Sequence, residues 1–160
     1  MTAVAGTEAA QRFVEQFIAG WRDPVDADAF SDHFEPLLTD DVRLIQPQVP
    51  TTVGKKAFRE VYARPLFELI PDLRAEVHRW AAREDFLLIE FTLSGTLGGG
   101  PVSWKVVDRI ILRDGLAAER LAYFDPTPLL AAIATRPRAW PTFARLQFSQ
   151  IRNRLRGGDR

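Results

Sequence analysis

The chain has 160 residues, enough for one domain with a sizeable core, and 46% of them are hydrophobic, including eleven Phe and four Trp. It carries no net charge and no Cys, which excludes a disulfide framework, a thiolate nucleophile, a Cys-ligated metal site and any global electrostatic pull toward nucleic acid. The charge is uneven, however: residues 136–160 hold seven Arg and a single acid, Asp159, so a basic tail follows an acidic body.

MTAVAGTEAAQRF has no basic segment followed by an apolar run, so it does not read as a signal peptide. No apolar run approaches the ~18–20 residues of a membrane-crossing helix. The expectation is a soluble, cytoplasmic protein. In TEAAQRFVEQFIAGW, Ala10, Phe13, Val14, Phe17, Ile18 and Trp21 recur at helical spacing, which predicts an amphipathic helix capped by Thr7. A loop through Asp23 and Pro24 leads to a shorter helix from near Asp26, with Phe30 and Phe34 inward and His33 on the surface. DDVRLIQPQ opens as a strand with Val42, Leu44 and Gln46 on one face; Pro47 and Pro50, which bring no amide to a ladder, are expected to break it. From Gly54 a third helix puts Phe58, Val61, Tyr62, Leu66 and Leu69 on one side, with a kink at Pro65 and a stop at Pro71.

Four strands follow, at 74–80, 86–94, 102–113 and 116–125, with GTLGGGP read as a flexible loop between the second and third. Asp114-Gly115 suits a two-residue type I′ hairpin turn. That turn implies a register in which Arg113 faces Leu116, Ile110 faces Glu119, Asp108 faces Leu121, Val106 faces Tyr123 and Trp104 faces Asp125. Side chains alternate along a strand, so Asp108 stands alone as a carboxylate in the apolar row Val102, Trp104, Val106, Ile110 and Leu112. The opposite face carries Val107, Ile111, Ala118, Ala122 and Phe124 beside Lys105, Arg109 and Arg120; it is too apolar to stay wet, and a second copy of the chain is its expected cover. Helix, helix, strand, helix and then antiparallel strands make the class α+β. Three N-terminal helices cover one concave face of a curved antiparallel sheet, and the cavity between them is lined by aromatic residues and the Asp108 row. In the tail, Ala144, Phe148, Ile151 and Leu155 form the apolar stripe of a basic amphipathic helix.

The segments QRFVEQFIAGW, LTDDVRLIQP, VGKKAFREVY, IPDLRAEV, VDRIILRDG and AYFDPTPLL, in that order, resemble the nuclear transport factor 2-like superfamily. Within it the resemblance is to the branch of SnoaL-like polyketide cyclases, limonene-epoxide hydrolases and ketosteroid isomerases, over roughly residues 8–132. It implies a cone-shaped sheet wrapped on helices, a hydrophobic pocket, a homodimer, a domain at 1–132 and a basic helical extension at 133–160. Set against the isomerases, Asp108 falls on an oxyanion-hole carboxylic acid, Gln46 on the catalytic base and Phe13 on the oxyanion-hole tyrosine. Set against the epoxide hydrolases, the charged triad falls on Phe91, Leu93 and Ala122, and the water-holding Asn and Tyr on Gln46 and Leu44. The acid/base Asp of the cyclases falls on Ala122, with Asp125 three residues on. The relatives' charged machinery is therefore largely replaced.

Asp108 has two readings: a buried acid, held partly neutral by desolvation, that donates a hydrogen bond to a ligand carbonyl or enolate, or the partner of an Arg or Lys from a helix, of Tyr62 or of Trp21. His78 is a pocket base or a partly exposed structural residue, and two His in the chain exclude a multi-His metal site. Glu90 divides acid and base work with Asp108 if it faces the cavity, and is a surface charge if it does not. Gln46 positions substrate or water. Trp104, Tyr123, Phe13, Phe17, Tyr62 and Leu121 are pocket wall or core. No metal or cofactor is expected, since GTLGGGP lacks the strand-to-helix context of a phosphate loop. Two functions stand: an isomerase, cyclase or hydrolase acting on a small hydrophobic carbonyl or epoxide compound, and a non-catalytic hydrophobic-ligand-binding or dimerising interaction domain. For the tail, packing on the acidic body leads; covering the pocket mouth or the partner subunit, docking another protein and lying on an anionic membrane surface are the other uses.

Overall fold

Aromatic side chains at helical spacing decide how the N-terminal half assembles. The computed structural model describes residues 2–47 and 49–157, with side chains over 8–47 and 49–148. Helix α1 (Thr2–Arg22) runs through Thr7, so that residue lies within the helix and not at its start. Helix α2 (Ala27–Phe34) starts where expected, with the Asp26 carboxylate accepting the Ala29 N–H at 2.8 Å. The two helices meet through Trp21 and Phe30, whose rings are 4.6 Å apart, and Phe34 packs at 4.5 Å from Phe30. They meet closely because Gly20 lies at the crossing: a Cβ there would sit 2.5 Å from both His33 and Phe34.

The third helical stretch is one run in three pieces: α3 (Lys55–Ala57), a widened π segment (Phe58–Ala63) and α4 (Arg64–Leu69). The widening lies directly before Pro65. Proline brings no amide and crowds the carbonyl one turn back, and an i→i+5 turn accommodates both.

The sheet has six strands: β1 (Leu38–Gln46), β2 (Val49–Val53), β3 (Arg74–Arg83), β4 (Phe86–Leu97), β5 (Gly100–Arg113) and β6 (Leu116–Phe124). Their order is β2-β1-β6-β5-β4-β3, antiparallel except for β1 against β6. Curvature, helices and sheet together make the expected α+β architecture. Two local expectations are corrected. Pro47 ends β1 at Gln46 as expected, but the break is only a turn: Pro50 lies on the edge strand β2, where one side needs no ladder, and the chain pairs back on β1 as a hairpin that the sequence reading missed. GTLGGGP is not a flexible loop: Gly98 (φ +60°) and Gly99 (φ +84°) supply the two positive φ angles of a tight turn, and Leu97 pairs with Gly100. Arg136 closes over that turn, donating to the carbonyls of Leu97, Gly100 and Pro101 at 2.8 Å each.

The third correction is one of register. Asp114 and Gly115 do form the β5–β6 turn, and Arg113 pairs with Leu116 as expected. Two residues later the ladder slips: Leu112 pairs with Ala117 but Ile111 with Glu119, leaving Ala118 as an extra residue on β6. This β-bulge moves every later partner by one position. Asp108 then pairs with Ala122, Val107 with Tyr123 and Val106 with Phe124. Because side chains alternate, the slip exchanges the faces of β6. Arg120, Ala122 and Phe124 turn toward the helices, while Leu121 and Tyr123 turn away.

Helix α5 (Thr127–Thr135) and a 3-10 turn (Pro137–Ala139) lead into α6 (Trp140–Gly157). Residue 132 lies inside α5, and Ile133 and Ala139 join the buried core. The face that α6 turns toward the body carries Phe143 and Leu146. Of the expected stripe, Ala144 is exposed and Phe148 is 72% exposed, while the side chains of Ile151 and Leu155 lie outside the described residues. Arg145 forms an ion pair with Glu68 of α4. Arg145 thus lets the basic tail join the body by charge as well as by apolar contact.

Candidate functional site

Between the sheet, the π segment with α4, and the C-terminal helices lies a mainly apolar cavity of about 200 Å³. Tyr62, Leu66 and Leu69 come from the helical side, Trp104, Val106 and Arg120 from the sheet, and Ile133, Phe143 and Leu146 from α5 and α6. Gln46 reaches it from the end of β1 and Gln147 from α6. The polar groups are few and converge from different elements, the usual form of a small-molecule site.

Arg120 is the residue that the sequence reading placed on the wrong face. The bulge at Ala118 brings it inward, where its Nε donates to Asp108 Oδ2 at 2.6 Å. The Asp108 side chain is 1% exposed and that of Arg120 12%. Asp108 does not line the cavity; Arg120 lies between it and the space. The Tyr62 ring packs against the guanidinium, with the Arg120 Cζ 5.2 Å from the ring centre, within cation–π range. Burial pushes the Asp108 carboxyl up from its ordinary range, against the opposing pull of Arg120. Burial works against the Arg120 charge too, but Asp108 and then Tyr62 outweigh it and hold the guanidinium above its ordinary value. Tyr62 is raised chiefly by its own burial, so its hydroxyl stays a neutral hydrogen-bond donor. Two atoms of the pair are buried without a hydrogen-bond partner among the described residues: Asp108 Oδ1 and Arg120 Nη1.

Of the residues singled out from sequence, Tyr62, Trp104 and Gln46 line the cavity. Phe13 and Phe17 do not; they belong to the aromatic core, where Phe17 packs on Phe91 at 5.4 Å. Tyr123, 53% exposed, and Leu121 lie on the outer face of the sheet, put there by the bulge. His78 is exposed at a second bulge, on β3, and its Nε2 meets Thr92 Oγ1 at 2.7 Å. Glu90 also lies on the outer face, paired with Arg79 at 2.9 Å. The sequence did hold one signal for Arg120. A lone carboxylate in an apolar row needs a buried cation, and Arg120 on the adjacent strand is inward only if the register moves by one.

The model of the SnoaL-like domain matches residues 14–120. The chain belongs to the SnoaL-like domain family. No curated protein matches it significantly. Among solved structures, this SnoaL-like chain is similar to a candidate SnoaL-like polyketide cyclase from Jannaschia sp. CCS1, at 21% identity and a TM-score of 0.69 over 81% of this chain and 94% of that one. It is similar to an LEH-like epoxide hydrolase of M. tuberculosis, at 20% identity and a TM-score of 0.64 over 82% and 93% of the two chains. It is similar also to TerC co-crystallised with polyporic acid, at 18% identity and a TM-score of 0.68 over 79% and 99%. These likenesses give the fold, and the fold hosts many chemistries. What this SnoaL-like domain can do rests on its own cavity, whose described lining holds no carboxylate and no His. The chemistry available is electrostatic: a fixed guanidinium and a neutral phenol in an apolar space. Among the described residues no helix is long and apolar enough to cross a membrane.

Proposed function

We propose that the cavity binds a small, mainly apolar molecule by an oxygen acceptor, which Arg120 holds and polarises with help from Tyr62. The observation that carries this reading is the Arg120 guanidinium, fixed by Asp108, on the one charged side chain among the described residues that line a mainly apolar space. A hydrogen bond from a charged donor is stronger than a neutral one, and a ligand oxygen in that space would accept it. Gln46 and Trp104 orient the molecule. Asp108 acts through Arg120, fixing the guanidinium, and in a reaction the pair would stabilise an oxyanion developing on the bound oxygen. A thermal-shift panel of polyketide aromatics, steroids, terpene epoxides and fatty acids tests the reading. A ligand at ~100 times its Kd stabilises by about 2.7 kcal/mol, a shift of several degrees in a domain of this size. The same ligand is expected to give no shift in a Leu66→Trp variant, which fills the cavity; a shift that survives would put binding elsewhere.

A second copy of the chain is the proposed cover for the outer sheet face. Leu88, Val107, Leu121 and half-exposed Tyr123 lie there beside Lys105, and several of the charges among them are paired within the chain, Arg109 and Arg43 with Glu119 and Arg79 with Glu90. A face with an apolar centre of this kind suits a two-fold, self-complementary contact. Sedimentation velocity should find a dimer at micromolar concentration and a monomer for Val107→Glu. A monomeric wild type would remove the dimer.

A further inference from the structure

The charges around Arg120 say which ligands the cavity accepts. Among the described lining residues only Arg120 and Tyr62 titrate. The one charge, on Arg120, already has its counter-ion, since Asp108 lies 2.6 Å from Nε and its side chain is 1% exposed. Resting on the cavity reading above, we infer that Asp108 is a specificity residue: by cancelling the charge of Arg120 it makes the cavity select neutral oxygen acceptors, such as ketones, lactones and quinones, over carboxylates of the same shape.

Two physical arguments lead there. The first is charge. A carboxylate on the Arg120 guanidinium would leave two anions sharing one cation in an apolar enclosure, and an uncompensated buried charge is expensive. A neutral carbonyl brings no charge to desolvate and still gains a hydrogen bond strengthened by the donor's charge. The second is geometry. Carboxylates bind guanidinium best through two parallel bonds, and Nε is already committed to Asp108. With Nε taken and Nη1 closed off from the space, the part of the guanidinium that lines the cavity offers no pair of parallel donors, and it suits an acceptor that needs a single one. Asp108 touches no ligand in this arrangement; it acts through Arg120 and is a positioning residue.

Matched probes test this: 2-acetylnaphthalene against 2-naphthoate, and acetophenone against benzoate, titrated by calorimetry at neutral pH. In the wild type each ketone should bind at least about tenfold more tightly than its carboxylate. Asp108→Asn keeps the shape and a hydrogen bond to Arg120 but uncovers the cation, and should shrink that ratio by about tenfold or reverse it. A merely structural Asp108 would weaken both members of a pair alike. Proton exchange gives a second readout that needs no variant. Asp108, which faces Arg120 and Tyr62, must be neutralised before an anion can share the site, so 2-naphthoate should take up about one proton on binding and the ketone none. Wild-type preference for the carboxylates, or an unchanged ratio in Asp108→Asn, overturns the selectivity while leaving the cavity as a site. Should the variant fail to fold, naphthoate binding without proton uptake overturns it. If none of the four probes binds, the cavity reading falls and this inference with it.

Discussion

Replacing Arg120 by Met is expected to destabilise the protein by about 3–5 kcal/mol, the range seen when one partner of a buried ion pair is removed. For a domain of this size that lowers Tm by roughly 10 °C or more. The reason is the state of what is left behind: the Asp108 side chain is 1% exposed and takes its one hydrogen bond from Arg120. Without the guanidinium it must either stay charged in an apolar layer or take up a proton. The double variant Asp108→Leu with Arg120→Met separates pairing from packing. Removing both charges leaves no orphan, so most of the lost stability should return, and in buried pairs elsewhere such replacement has been neutral or favourable. The non-additivity of the two single changes, read by a double-mutant cycle of chemical denaturation, gives the coupling energy. Single and double variants of equal stability would mean that the pair does not carry the interaction described.

Inserting one Ala after Ala118 is expected to be at least as costly as Arg120→Met, because it adds a second extra residue to β6. With the one-residue bulge kept, every later partner moves by one position and Asp108 lies opposite Leu121. Arg120 would turn to the outer face, leaving Asp108 without its cation, and Leu121 and Tyr123 would point toward the helices. The parallel pairing with β1, where Ile45 now lies beside Leu121, would have to slip as well. The insertion should abolish the cooperative thermal transition or lower Tm by more than Arg120→Met does. Adding Asp108→Leu in the same chain should recover part of the loss, since the orphaned carboxylate is then gone. Deleting Ala118 is the control: it removes the unpaired residue but leaves Asp108 opposite Ala122, so it should cost less than the insertion. An insertion variant as stable as the wild type would show that the residue count of β6 does not decide which side chains face the cavity.

Most of the fold was legible in the sequence because it follows from periodicity and turn chemistry, which are local. Phe13, Phe17 and Trp21 mark one face of α1, Asp26 caps α2, and Asp114-Gly115 makes the β5–β6 turn. The apolar alternation in β5 puts Asp108 inside, and it is fully buried. The misread segments are those where one residue type serves two geometries. Pro47 does end β1, but Pro50, which looks like a breaker too, lies on an edge strand that tolerates it. Consecutive glycines look flexible, yet they supply the two positive φ angles of a hairpin turn.

The site was legible only in part. Tyr62, Trp104 and Gln46, singled out from sequence, lie on the cavity wall, but Arg120, the charged residue of its described lining, was assigned to the far face. A single extra residue at Ala118 makes the difference, and nothing local marks it, since Ala is neither a turn former nor a strained residue there. In α6 likewise the chain offers two apolar edges, Phe143 with Leu146 and Ala144 with Phe148; charge and spacing favour the second, while packing against α4 and α5 selects the first. The sequence by itself determined most of the elements, though not β2, and with them the α+β class, the buried carboxylate and the family resemblance, because those depend on short-range pattern. The tertiary structure decided the register of β6, the partner of Asp108 and the face of α6, because each is a choice between nearly equal local arrangements that only contacts from distant parts of the chain can separate.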